Sequence, residues 1–168
     1  MTSSEQTDSP ICAIRFATKS DTGLIVQLIK ELADYEKLSH EVVVDEMTLR
    51  ETLFHQRQVA EVLIAEYQGL PVGFALFFHN YSTFLGKPGL YLEDLFVKPH
   101  LRGLGIGKHL LTYLAKIALE RGCGRLEGSV LDWNKSAIDF YLNLGAQPMS
   151  DWTVFRLTGQ ALINLTKQ

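Results

Sequence analysis

The chain has 168 residues, 46% of them hydrophobic, and a formal net charge of −3, so it is long enough for one domain with a substantial core. Its basic residues are scattered, which argues against a nucleic-acid surface that works mainly through phosphate contacts. The first ten residues are polar without a basic start, and no later stretch reaches the length of a membrane span, about 18 apolar residues. We therefore expect a disordered tail over residues 1–10, a single domain over residues 11–168 and a cytoplasmic location without membrane contact.

The two cysteines and five histidines do not form a recognisable metal or disulfide pattern. Cys12 and Cys123 are far apart in the sequence, and no histidine has metal-ligand spacing to a cysteine or a carboxylate. Reduced structural thiols are the simplest interpretation. The sequence predicts no metal site.

The first elements predicted along the chain are a strand and two helices. Ile11 to Phe16 is typical of a strand, and the Thr18-Lys-Ser-Asp segment offers N-cap residues for a helix of about 21–37. Apolar residues in this helix recur at spacings of three and four, which predicts one face packed on a sheet. These are Leu24, Ile25, Leu28, Ile29, Leu32 and Ala33. A second helix is predicted over about 45–55.

Acidic residues are concentrated around the end of the first helix. The stretch from Glu31 to Glu51 has seven acids against two basic residues, Lys37 and Arg50. One interpretation is a solvated face. The other is a rim whose summed field attracts a polyamine or another amine.

Three strands are predicted next. Val59 to Tyr67 and Val72 to Asn80 flank the turn residues Gln68-Gly69-Leu70-Pro71, which indicates an antiparallel hairpin. A strand of about 90–97 continues this meander and stops before Pro99, which cannot donate to a sheet.

Three alternating glycines, at 103, 105 and 107, separate this strand from a long helix. A helix that begins inside a glycine run leaves its first amides and its positive dipole end open to an anion such as pyrophosphate. A Walker loop would need glycine at Arg102 and Ser or Thr at His109. The dinucleotide fingerprint would need glycine at Lys108 and a strand directly before the loop, although Glu127 does lie about twenty residues further on. A tight connection without a ligand is the remaining alternative.

Two strands and one helix are predicted in the last part of the chain. The strand over 125–131 follows a helical crossover and is therefore expected to be parallel to the strand over 90–97. Asp132 to Ser136 opens the last main helix, and Gly145 closes it. Trp152 to Leu157 is predicted to be a final strand.

The element order and four motifs resemble the GNAT superfamily of N-acetyltransferases. The motifs are similar to those of its spermidine/spermine (diamine) and thialysine N-acetyltransferase branch. They are Leu-Ile-Lys-Glu-Leu-Ala-Asp-Tyr-Glu, Leu-Tyr-Leu-Glu-Asp-Leu-Phe-Val, Arg-Gly-Leu-Gly-Ile-Gly and Trp-Asn-Lys-Ser-Ala-Ile-Asp-Phe-Tyr. The resemblance implies an α/β GNAT (acyl-CoA N-acyltransferase) fold. This fold has a mixed central sheet with an antiparallel N-terminal half, a parallel splayed strand pair, and helices on both faces.

The resemblance also implies an activity. An acetyl group would pass from acetyl-CoA, bound as co-substrate without a metal, to the primary amine of a small cationic substrate by direct attack in a ternary complex. A homodimer is the family expectation. The alternatives are acetylation of a protein N-terminus or lysine, and a non-catalytic acetyl-CoA-binding module. After Gly145 the stretch to Val154 carries a single acid, Asp151, where polyamine enzymes carry more. This favours small amines or thialysine-like amino acids over long polyamines.

Each chemical need of acetyl transfer can be matched to a residue through the resemblance. Tyr141 matches the tyrosine that protonates the leaving sulfur, and Glu93 matches the carboxylate that meets the substrate amine. Without the resemblance, Tyr141 would be read as a core aromatic and Glu93 as a solvent-facing strand residue. Asp94 is expected to alternate to the opposite face of the strand.

The remaining contacts follow from the same resemblance. Backbone groups of Leu95, Phe96 and Val97 are expected to bind the pantetheine arm as a false strand. The other residues assigned to acetyl-CoA are Arg102, Gly103, Leu104, Gly105, Ile106, Gly107, Lys108, Asn134, Lys135, Ser136, Ala137 and Tyr141. The residues assigned to the amine are Tyr35, Glu36, Glu93, Glu127, Gly128 and Ser129.

Overall fold

The computed structural model describes residues 11–167. The chain divides into two units, with the boundary between residues 129 and 130. The tail predicted over residues 1–10 lies outside the described residues. The single domain expected over residues 11–168 remains a prediction.

The first unit contains a five-stranded sheet. Its strands, in spatial and chain order, are β1 (Ala13–Phe16), β2 (Glu61–Tyr67), β3 (Leu70–Ser82), β4 (Lys87–Val97) and β5 (Leu126–Gly128). Neighbours from β1 to β4 are antiparallel, whereas β4 and β5 are parallel. The predicted mixed sheet is therefore confirmed.

The β2–β3 hairpin is tighter than the sequence suggested. Tyr67 pairs with Leu70, so only Gln68 and Gly69 form the turn, with φ angles of 52° and 77°. Two consecutive positive φ angles match the twist of a two-residue hairpin turn. Pro71 is consequently part of β3 and not of the loop.

Helices cover both faces of this sheet. α1 (Thr22–Tyr35) and α2 (Glu46–Phe54) pack on the face that contains Val62, Ile64, Phe74 and Phe96. α3 (Ile106–Glu120) contacts β2, β3 and β4, and its Leu110 and Leu114 are fully buried. The apolar stripe predicted for the first helix is thus the face that buries against the sheet.

The second unit is mainly helical. α4 (Lys135–Asn143) begins after its N-cap Asn134 and is followed by Gly145 at a φ of 86°. α5 (Gly159–Leu165) was not predicted. The apolar residues Ile138 and Leu142 belong to α4.

Two predicted strands differ from the structure. The final strand over Trp152 to Leu157 is wrong, since residues 152–158 have no regular secondary structure and Phe155 is 92% exposed. Its alternating residues suit a strand, but a strand also needs a neighbouring ladder, and none pairs with it within residues 11–167. The strand over 125–131 shrinks to β5 because pairing with β4 ends at Gly128.

Candidate active site

The free edge of β4 is the first feature of the candidate site. β5 pairs only with Leu90–Leu92, so the side of β4 that faces away from β3 has no strand beside it over residues 93–97 in the described chain. At Gly128, where the pairing ends, an added Cβ would lie 3.0 Å from the Leu92 carbonyl oxygen. The two strands are in close contact up to this point and then separate, as expected for a splayed parallel pair.

Hydrogen bonding decides which backbone groups this edge presents. The Lys98 amide donates to the Val72 carbonyl at 2.9 Å, which makes Gly73 and Val97 a non-hydrogen-bonded pair. The N–H and C=O groups of Val97 and Leu95 therefore point away from β3, whereas those of Phe96 point towards it. Of the three residues expected to bind the pantetheine arm, two present their backbone groups at the free edge.

The glycine loop ends in an open helix N-terminus. Gly103 and Gly105 both have φ angles of 83°, a conformation that favours glycine, and Gly105 is the N-cap of α3. The first backbone bond at this end is donated by His109 to the Gly105 carbonyl at 2.9 Å. Within the described chain, the amides of Ile106, Gly107 and Lys108 donate no backbone hydrogen bond. Together with the Lys108 side chain, these amides suit a phosphate group.

A β-bulge places an additional carboxylate on the side of the sheet that carries α1. Leu76 pairs with Asp94 and Phe77 pairs with Leu92, so Glu93 has no opposite residue. The extra residue cancels the expected alternation. Asp94 lies opposite Leu76, which packs against the core under α1 and α2. Asp94 therefore lies on the side of the sheet that carries α1.

Three carboxylates affect one another at this bulge. Burial first, and then the negative charges of Glu93 and Glu36, raise the pKa of Asp94 to about 6. Burial also raises the pKa of Glu36, which follows the last residue of α1. Glu93 is exposed. The structure thus brings two of the residues assigned to the amine, Glu36 and Glu93, into the electrostatic neighbourhood of Asp94, which sequence reasoning had set aside.

Arg102 connects the end of β4 to the end of α1. Its Nε donates a hydrogen bond to the Val97 carbonyl oxygen at 3.1 Å. Its guanidinium carbon lies 4.0 Å from the centroid of the Tyr35 ring and 5.8 Å from that of Phe96. The side chain expected beside a phosphate is thus directed at an aromatic residue assigned to the amine.

The remaining residues assigned to the amine contact the neighbouring strands. Glu127 forms an ion pair with Arg125 and accepts a hydrogen bond from Asn80 Nδ2 at 3.3 Å. The Ser129 hydroxyl lies 2.7 Å from the hydroxyl of Tyr91. These polar groups are therefore already engaged with one another along the β4–β5 pair.

The second unit carries the residues assigned to the leaving group and to one side of the cofactor. The Asn134 side chain accepts a hydrogen bond from the Ala137 amide at 3.2 Å and so caps α4. Lys135 pairs with Asp139 at 3.0 Å in an exposed position, and Ser136 is also exposed. Burial raises the pKa of Tyr141 to about 12. Its hydroxyl consequently keeps its proton at neutral pH.

Two further properties concern ions and membranes. Across residues 11–167, the structure contains no group of three or more His, Cys, Asp or Glu side chains placed to hold a metal. In the same range, no helix combines the length and apolar character needed to cross a bilayer.

Comparisons with known proteins agree with this fold. Residues 26–146 match the acetyltransferase (GNAT) family. The chain is 46% identical over 163 residues to the thialysine N-ε-acetyltransferase of Bos taurus, covering 90% of this chain and 95% of that protein. It is 36% identical over 199 residues to L-ornithine N5-acetyltransferase NATA1 of Arabidopsis thaliana, covering 92% and 87%. Among solved structures, an integron cassette protein from the mobile metagenome of V. cholerae aligns with a TM-score of 0.80 and 26% identity over 95% of this chain and all of that chain.

Proposed function

The chain belongs to the acetyltransferase (GNAT) family, and we propose that it transfers the acetyl group of acetyl-CoA to the primary amine of a small cationic substrate. The names of the bovine and plant relatives specify the Nε atom of thialysine and the N5 atom of ornithine. Each is a terminal side-chain amine of a cationic amino acid. We propose acceptors of this class, with diamines as the other members.

The observation that carries the proposal is the free edge of β4 followed by the glycine loop. The outward amides and carbonyls of Leu95 and Val97 offer strand-like hydrogen bonds to an extended amide-containing arm. A few residues later, the first turn of α3 offers unpaired amides to a phosphate. This order suits acetyl-CoA, which has a pantetheine arm next to a pyrophosphate. Asn134, Lys135, Ser136 and Ala137 remain proposed contacts from the second unit.

The amine side of the proposal depends on Glu36, Glu93 and Asp94. A cationic amine is attracted by this group of carboxylates, in which the charges of Glu93 and Glu36 add to burial in raising the pKa of Asp94. An aliphatic ammonium must lose a proton before it can attack, and Glu93 is proposed to accept that proton through water. Tyr35, Glu127, Gly128 and Ser129 are proposed as the remaining contacts of the acceptor.

Acetyl-CoA supplies an acyl carbon that is activated as a thioester. We propose that the amine is neutral once Glu93 has accepted its proton. The amine nitrogen then forms the new C–N bond with the acyl carbon as the C–S bond of the thioester breaks. The Tyr141 hydroxyl then gives its proton to the departing sulfur, and the proton that the nitrogen loses on becoming an amide restores the tyrosine. A pKa of about 12 keeps the hydroxyl proton in place until negative charge develops on the sulfur. No covalent enzyme adduct is part of this proposal.

Three broader properties are proposed from the same family resemblance: a homodimer, a cytoplasmic location and a single domain over residues 11–168. Light scattering on the purified chain tests the dimer.

The proposed activity is tested with isotope-labelled acetyl-CoA and a panel of amines. The panel contains thialysine, lysine, ornithine, putrescine, spermidine and a peptide with a free N-terminus. We expect label to enter the side-chain amines of the small cationic acceptors with the highest kcat/KM. Label found only in the peptide would contradict the proposed substrate class, and acetyl-CoA binding without transfer to any amine would indicate a non-catalytic binding module.

A further inference from the structure

Two cationic side chains connect the carboxyl end of β4 to the last part of α1. Lys98 Nζ lies 3.6 Å from Glu31 Oε1, and the Arg102 guanidinium lies 4.0 Å from the Tyr35 ring centroid. Glu31 and Tyr35 are four residues apart, so they share one face of α1. This face is therefore held to the strand end at two successive turns.

The two connections differ in what they contact. The Lys98 ion pair joins two partly exposed side chains. Arg102 instead touches both sides of the proposed site, since its Nε donates to the outward carbonyl of Val97 while its plane lies on Tyr35. The Val97 carbonyl belongs to the edge proposed to bind the acetyl donor, and Tyr35 belongs to the proposed amine site.

We propose that Arg102 is a positioning residue that orients Tyr35 for the amine and links its position to the donor-binding edge at Val97. The inference rests on the proposed function for the identity of the two ligands. Arg102 thus has a role distinct from that of a charge beside the pyrophosphate, which the loop amides of α3 already suit.

The chemistry of the arginine side chain makes this role testable. A planar guanidinium can donate from Nε and stack on a ring at the same time, whereas a lysine ammonium is a point charge at the end of a flexible stem. Arg102→Lys therefore keeps the positive charge of a phosphate contact and removes the combination of contacts seen here. Arg50→Lys, at an exposed position in α2, is the matched control for the substitution itself.

The first experiment measures the contact without any assay of activity. Urea unfolding is followed for the wild type, Arg102→Lys, Tyr35→Leu and the double variant. We expect the double variant to lose clearly less stability than the sum of the two single losses, because either substitution removes the same contact. Additive losses would overturn the proposed link, whether or not the protein acetylates an amine.

The second experiment measures the consequence for the substrates. At saturating acetyl-CoA, we expect Arg102→Lys to raise the amine KM about 5–30-fold, the size expected for losing a partly buried cation–π contact, with a smaller change in kcat. Tyr35→Leu should produce a similar increase, and the double variant should add little to it.

The competing role for Arg102 predicts a different pattern. If Arg102 binds phosphate, shortening the Arg102 side chain to an uncharged one weakens acetyl-CoA binding in calorimetry. Arg102→Lys, which keeps the charge, then leaves the amine KM unchanged. That pattern would overturn the positioning role. If the wild type acetylates no amine on the panel, the proposed function fails, while the unfolding experiment still decides whether Arg102 and Tyr35 are coupled.

Discussion

Replacing Asp94 by asparagine should stabilise the fold at neutral pH. The pKa of Asp94 rises from its ordinary value of 3.8 to about 6, because of burial first and then the charges of Glu93 and Glu36. Each pKa unit corresponds to about 1.4 kcal/mol, so the ionised carboxylate costs at most about 3 kcal/mol of folding free energy. Asp94 is only half-buried and solvent screens part of this cost. We expect Asp94→Asn to gain about 1–2 kcal/mol at pH 7.5.

The sign of the pH dependence follows from the direction of the shift. Since the folded state holds the Asp94 proton more tightly than the unfolded state, stability from this group is fully present below pH 3.8 and is lost as pH rises through about 6. The asparagine variant has no carboxyl group to ionise at this position and therefore does not lose this stability. The gap in unfolding free energy between the variant and the wild type should therefore grow from pH 4 to pH 7 and then level off.

Urea unfolding at pH values from 4 to 8 measures this gap. A gain of 1–2 kcal/mol corresponds to a rise in Tm of about 2–8 °C for a chain of this size, so thermal scans provide a second measurement. Asp151→Asn makes the same chemical change at an exposed site and should show no such gap. A gap that is constant from pH 4 to pH 8, or a variant that is less stable at pH 7.5, would refute the electrostatic reasoning.

The same variant tests why the fold keeps a destabilising carboxylate. Active sites often retain groups that cost stability because they bind the substrate. A saturating diamine should therefore raise the Tm of the wild type more than that of Asp94→Asn. An equal rise in both proteins would separate Asp94 from amine binding.

Three further predictions concern the donor loop, the leaving group and the substrate charge. Gly105→Val places a β-branched side chain at a φ of 83° and should abolish acetyl-CoA binding in calorimetry, so an unchanged Kd in a folded variant would contradict the loop assignment. Tyr141→Phe should lower kcat about 10²-fold with little change in Tm, and a wild-type kcat with chemistry rate-limiting would leave Tyr141 as a packing residue. The kcat/KM of a diamine should exceed that of a neutral aromatic amine and should fall as salt rises, mainly through KM. An equal response of both amines would make the acidic segment around Glu36 a solvated face.

The sequence alone determined the family and the order of most elements. The periodicity of α1, the hairpin signal before β3 and the alternating glycines were all sufficient, because each depends on residues that are near one another in the chain. The four motifs identified the GNAT superfamily, which the family match confirms. The conformation of the glycine loop was predictable for the same reason, since it depends on consecutive residues.

Only the tertiary structure decided which side chains meet at the proposed amine site. Asp94 shares the α1 side of the sheet because β4 holds one more residue than β3 at the bulge, and this register depends on both strands. The contact of Arg102 with Tyr35 joins residues 67 positions apart, so no local pattern contains it. The predicted strand over 152–157 failed for the same physical reason. Alternation gives a segment the capacity to be a strand, but the ladder that makes it one must come from a distant part of the chain.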